Sequence, residues 1–285
     1  MFGGLASHMR RSLVQLGRTT LCVSLPHEFV QRYNLKKGDA VDVAEEEAQL
    51  VLNALPQSQS THVVNITDKH YAVAWYAITA AYMAGHDAID IRFENAHLQK
   101  SKEVPTNQAI AELAGSLIGM EVMEQGKKYC LLKEIALPKK DELPKLLLRV
   151  WNVLVVLAEE CRDPELRKVV HVHEDQLNKL VLYGMRLLSR AGAETRQQSL
   201  AMYALLSRLE VVGDLFQQLL VELEDDACLE QLEDVVRLAR GAFTSGNIEK
   251  AWFARHMLTQ TTDNKLALQI ADNLLDALHL RLTYT

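Results

Sequence analysis

From Leu143 onward the apolar residues return every three or four positions, with no strand-like alternation between them. Leu146, Val150, Val153, Leu154 and Leu157 set the pattern, and that spacing puts them on one face of an α-helix. The same period runs through residues 166–190, where Asp163-Pro164 marks the start, and through 194–223, 229–244 and 247–284. The last stretch is expected to break near Thr261-Thr262-Asp263. Short polar joints make successive helices antiparallel neighbours, so residues 143–285 are predicted to form an all-α bundle. The longest apolar run, residues 150–158, falls far short of the roughly 18 residues a membrane span needs. It is flanked by charges and is expected to be a core helix, with no membrane insertion.

The N-terminal half follows other rules. Residues 12–16 alternate, Gly17-Arg18-Thr19 punctuates them, and 20–25 form a second strand-like run. Pro26 then opens a short helix over 27–33, at a position where a missing N–H is harmless. Lys37-Gly38-Asp39 is a turn, and 40–43 and 49–52 are two further strands joined through Glu45, Glu46 and Glu47. This first domain, residues 1–55, is too small to bury much by itself, and pairing with a second copy would cure that. The polar, Pro-containing stretch 53–61 is a linker by composition. Residues 62–140 then mix elements: strand 62–66, helix 71–84 ahead of Gly85, strand 88–93 with Ile89, Ile91 and Phe93 on one face, helix 107–118 closed by Gly119, and a hairpin across Gln125-Gly126. The order β-α-β-α-β-β predicts a small two-layer α/β connecting domain.

Charge separates these zones. The whole chain carries a formal −6, yet residues 1–38 hold Arg10, Arg11, Arg18, Arg32, Lys36 and Lys37 against Glu28 alone. Phosphate attraction is local to the contacting face, so a basic end on an acidic chain is a candidate nucleic-acid interface. The four cysteines, Cys22, Cys130, Cys161 and Cys228, lie far apart and form no CxxC pair. Free thiols in a reducing cytosol are expected, and the opening residues show no apolar leader run. No GxSxG, HExxH or dinucleotide fingerprint is present, and catalysis is not expected.

Two segments carry a family resemblance. Residues 11–29, from Arg11 through Gly17-Arg18 to Pro26 and Phe29, followed by Leu35-Lys36-Lys37-Gly38-Asp39, resemble the SpoVT/AbrB-type swapped-hairpin domain. In that family two protomers interlace hairpins into one β-barrel, and arginines on its face meet DNA. The resemblance assigns DNA contact to Arg10, Arg11 and Arg18, with Arg32, Lys36 and Lys37 on the same basic end. Val30 and Gln31 stand where many members carry a basic pair on the short helix, which weakens the expected grip on DNA. Further on, residues 78–89 and 117–122 resemble the middle part of archaeal proteins that fuse this domain to a PhoU-like bundle. Ser207-Arg208-Leu209-Glu210-Val211-Val212-Gly213-Asp214 is similar to the PhoU signature Arg-x-Glu-x-x-Gly-Asp.

PhoU bundles carry Glu/Asp-x-x-x-Asp motifs that bind metal ions, and spacing of four puts two carboxylates on one helix face. Glu210 and Asp214 match. On the facing helix Glu174 matches, while Asn178 stands in the place of the second carboxylate. The resemblance therefore implies a divalent or iron ion at Glu174, Glu210 and Asp214. It also implies a cytoplasmic, homodimeric, DNA-binding regulator of phosphate uptake and homeostasis. The alternative is a non-DNA-binding adaptor that docks on a phosphate transporter component or signalling protein.

Overall fold

The structure, a computed structural model, describes residues 10–46, 49–53, 61–99, 102–136, 140–191, 195–222 and 226–282. The chain is mixed α+β and divides into two compact units, residues 1–58 and 59–285. The linker expected over 53–61 lies almost wholly outside the described residues.

In the first unit β1 (Val14–Leu16) and β2 (Thr20–Cys22) pair antiparallel, Leu16 opposite Thr20, across a turn in which Gly17 takes φ 74°. A β-carbon disfavours that left-handed region, so glycine closes the turn at low cost. Helix α1 (His27–Arg32) follows Pro26, and β3 (Asp42–Glu46) pairs with β4 (Gln49–Asn53). The expected barrel is not closed: the four strands form two separate two-stranded ladders. Strand β2 also stops at Cys22, because β1 offers it only three partners, and Val23, Ser24 and Leu25 continue without a strand opposite among the described residues. None of the side chains described in this unit is buried, and Leu13, Val14, Leu16, Leu21 and Leu50 are 60–67% exposed.

The second unit has two cores. β5 (Thr61–Asn65) and β6 (Ala88–Arg92) are parallel, joined over the sheet by α2 (Tyr71–Met83). After β6 comes a small hairpin, β7 (His97–Gln99) and β8 (Glu103–Pro105), then α3 (Thr106–Ala114), and then β9 (Met120–Gln125) and β10 (Tyr129–Glu134). The sheet order is β5-β6-β10-β9. The alternation read in 88–93 is realised, with Ile89, Ile91 and Phe93 buried against Ile78 and Tyr82 of α2 and Ile110 and Leu113 of α3.

The rest is helical: α4 (Leu143–Arg162), α5 (Val170–Ala191), α6 (Arg196–Glu222), α7 (Leu229–Ser245), α8 (Glu249–Thr261) and α9 (Lys265–Leu282). The break between α8 and α9 falls at Thr262, which is extended, and Asn264 Oδ1 caps the new helix by accepting from Leu266 N and Ala267 N. Helix α5 packs between α4 and α6, α6 lies on α9, and α7 lies on α4 and α8. Trp151, Leu154, Leu177, Leu209, Phe216, Val236 and Leu274 belong to the shared core. All four cysteines are free thiols, and burial pushes Cys130 up to about 11 and Cys161 up to about 12.

Helix α5 also touches α2, which ties the bundle to the α/β layer. Residues 184–188 are buried all round, Arg186 included at 1% exposure. Its guanidinium donates to Tyr82 O at 2.8 Å, His86 O at 2.9 Å and Glu134 Oε1 at 2.7 Å, and lies 4.8 Å from the Tyr82 ring centroid. One turn on, Arg190 donates to Gly85 O at 3.1 Å, Asp87 Oδ1 at 2.5 Å and Glu134 Oε2 at 3.1 Å. Two arginines thus meet the carbonyls at the C-terminus of α2, where the helix dipole favours cations. Replacing Arg186 by Met leaves Glu134 and two carbonyls short of donors, and the expected cost is about 3–5 kcal/mol in urea unfolding. Adding Glu134→Gln to that variant is expected to return part of the loss.

Candidate functional site

The basic residues of the first unit are placed by its turns. Arg10 and Arg11 precede β1, and Arg18 stands in the β1–β2 turn, where its carbonyl accepts from Gln15 Nε2 at 3.2 Å. Arg32 closes α1, and Lys36 and Lys37 occupy the next turn, fixed by Lys36 N donating to Asp39 Oδ2 at 2.7 Å. Asn34, at φ 49°, turns the chain out of α1 toward them. All six cations are exposed. Exposed cations on a backbone held by turns are what phosphate contact requires. Helix α1 adds only Arg32 to this set, since Val30 is half-buried and Gln31 is uncharged.

Glu174 and Asp214 meet between α5 and α6. They can do so because the helices approach closely at Gly213, where a β-carbon would stand 2.4 Å from Leu177 Cδ2 and 3.8 Å from Glu174 Cγ. The glycine of the Arg-x-Glu-x-x-Gly-Asp segment is a close-packing residue here. Its arginine, Arg208, turns to α9, reaching Asn273 Oδ1 at 3.2 Å and Asp276 Oδ2 at 3.6 Å.

Glu174 is buried, at 6% exposure, and both its oxygens accept from amides: Oε1 from Asn178 Nδ2 and Oε2 from Gln217 Nε2, each at 2.5 Å. Burial raises its carboxyl to about 7, opposed by the Asn178 hydrogen bond and reinforced by the charge of Asp214 and a hydrogen bond shared with it. Burial, and next Asp214, also raise Glu210. Three acidic groups are thus brought together, one of them inclined to keep its proton at neutral pH.

That arrangement does not fit a resident metal ion. A hard cation needs carboxylate oxygens turned toward it, whereas N–H donors already occupy both oxygens of Glu174. Among the described residues no group of three or more His, Cys, Asp or Glu side chains is disposed to hold a metal. The sequence reading marked Glu174 and Asn178 but missed Gln217. The only signal for it was its place one turn beyond Asp214, near the same helix face.

A carboxyl held above its ordinary value favours the folded chain while it is protonated. The contribution of Glu174 is therefore fully present below about 4.5 and is lost as pH rises through about 7. The loss amounts to about 3 kcal/mol. Glu174→Gln, which cannot ionise, is expected to be more stable than the parent chain at pH 8 and to lose that advantage by pH 4.5. Thermal melts across that range check this, and a difference independent of pH would contradict it.

Comparison of the chain with family models, with curated proteins and with solved structures found no match in any of the three.

Proposed function

We propose that the chain is a DNA-binding transcriptional regulator of phosphate uptake and homeostasis, acting as a cytoplasmic homodimer through its first unit. The observation that carries this reading is one small unit with six exposed cations and no buried residue among its described side chains. Hydrophobic burial contributes about 1.5–3 kcal/mol for each Leu- or Val-sized side chain taken from water. Leu13, Val14, Leu16, Leu21 and Leu50 stay mostly exposed in the single chain and supply little of it. Interlacing with a second copy, as the resemblance to swapped-hairpin domains implies, gives these side chains a core and β2 a longer partner. It also doubles the cations on one body, and charge-driven phosphate binding grows steeply with their number.

The bundle is then the sensor or docking domain, in line with the resemblance of residues 207–214 to the PhoU signature. A ligand on the bundle regulates DNA affinity only by binding two dimer settings differently. The second reading is an adaptor whose first unit dimerises without holding DNA. Val30 and Gln31 on α1 favour it, because they leave that helix with Arg32 as its single cation.

Duplex-DNA binding by the full chain across a salt series separates the two. The regulator reading expects affinity to fall steeply with salt, and Arg11→Ala/Arg18→Ala to make the log–log slope shallower by about 3.6 if all four sites of a dimer touch phosphate. Negligible binding by both proteins would make the first unit a dimeriser only.

A further inference from the structure

Strand β5 is held differently at its two ends. It is an edge strand, laddered to β6 alone. At its exit Val64 and the following Ile66 are buried, at 6% and 0% exposure, in the core shared with α2 and α3. At its entry Thr61, His62 and Val63 are all exposed, so burial does little to hold them. What closes the entry is a ring stack. His62 lies flat on His86, with centroids 4.7 Å apart and planes 12° from parallel. By the alternation of the strand His62 shares the face of Val64, which is the helix-covered face of the sheet. His86 stands in the joint between α2 and β6, where Arg186 of α5 donates to its carbonyl at 2.9 Å. The stack therefore ties the entry of β5 to the junction that Arg186 and Arg190 build.

Imidazole is the side chain whose charge changes just below neutral pH, and two cationic rings at this separation repel. The surroundings oppose a charge on His86 as well. Burial, then His62, then Arg186 hold it below the ordinary 6.5, and Asp87 opposes them. Asp87 is already paired with Arg190, and the two oxygens of Glu134 accept from Arg186 and Arg190. Lys133 of β10 stands opposite Ala88 and so belongs to the other face of the sheet.

We propose that the His62–His86 stack is a proton-sensitive clasp on the entry of β5, closed while the rings are neutral and opened when both take protons. Opening frays Thr61, His62 and Val63 from β6 and adds them to the polar stretch that joins the two units in sequence. Val64 and Ile66 keep the rest of the strand in place. The clasp lies wholly in the second unit and does not depend on DNA binding by the first. A histidine held below its ordinary value favours the folded chain while it is neutral. The contribution of His86 is therefore present above 6.5 and is lost as pH falls through its lower folded-state value. Glu174 acts over an overlapping interval with the opposite sign, so a melt of the whole chain would mix the two. Local hydrogen exchange separates them.

Hydrogen exchange of the full chain at about pH 7.5 and about pH 5.5, corrected for the intrinsic pH dependence of exchange, tests the clasp. Protection over Thr61, His62 and Val63 is expected to fall at least tenfold at the lower pH, while β10 keeps its own. In His62→Phe/His86→Phe the rings still stack but cannot titrate, and protection is expected to be equal at the two pH values. His62→Phe alone removes one of the two charges, and NMR titration of His86 in that variant is expected to show its midpoint moved up toward 6.5. A ring with a packing role only would not move in this way. Protection independent of pH in the parent chain, a tenfold loss that persists in the double variant, or a His86 midpoint unmoved by His62→Phe would each overturn the proposal. Should the double variant fail to fold, the parent's exchange and the His86 titration still decide.

Discussion

The second unit depends on one buried cation. Arg186 is fully enclosed, and an unpaired guanidinium there would be prohibitively costly. It is tolerated because Glu134 supplies a carboxylate and the backbone at and just past the end of α2 supplies the carbonyls of Tyr82 and His86. Arg190 repeats the device one turn later. The two arginines therefore complete the end of α2, hold the last residue of β10, one of the sheet's two inner strands, and fix α5 against both. The helix that presents Glu174 to α6 is the helix so anchored.

The first unit is built on the opposite terms. It has turns and ladders that position its charges, but none of its described side chains is buried. Local structure without a core is marginal in water. Under the proposed function that deficit is the basis of assembly: the apolar side chains left exposed are what a second copy covers, and assembly gathers the cations. The acidic cluster lies in the other unit, so under that reading DNA contact and proton binding would draw on different residues.

Much of the fold was legible in the sequence because apolar period and backbone state coincide there. The helix run ending near Thr261–Asp263 and the strand carrying Ile89, Ile91 and Phe93 are examples. Where they diverge, the reading failed. Helix α3 stops at Ala114, while Leu117 remains buried in register through a tight turn, so periodicity alone extended the helix to 118. Strands β7 and β8 have three residues each, too few to show alternation. Of the site, Glu210 and Asp214 were legible from their spacing of four and Glu174 from the family resemblance, but Gln217 was not, because an amide on a helix carries no sign of which carboxylate it will meet. Arg186 and Arg190 were missed for a related reason. A cation inside an apolar stretch reads as an irregularity until its partners, some 50 to 100 residues away in sequence, are known.

The claim on which the functional account turns is that the first unit completes its core with a second copy of the chain. Sedimentation velocity of the full chain, with hydrogen exchange read over residues 10–53, tests it directly. The account predicts a dimer with protected amides in β1 to β4, and loss of both dimer and protection in Leu16→Asp/Leu21→Asp while the second unit stays protected. A monomer whose β1 to β4 amides are nonetheless protected would contradict it.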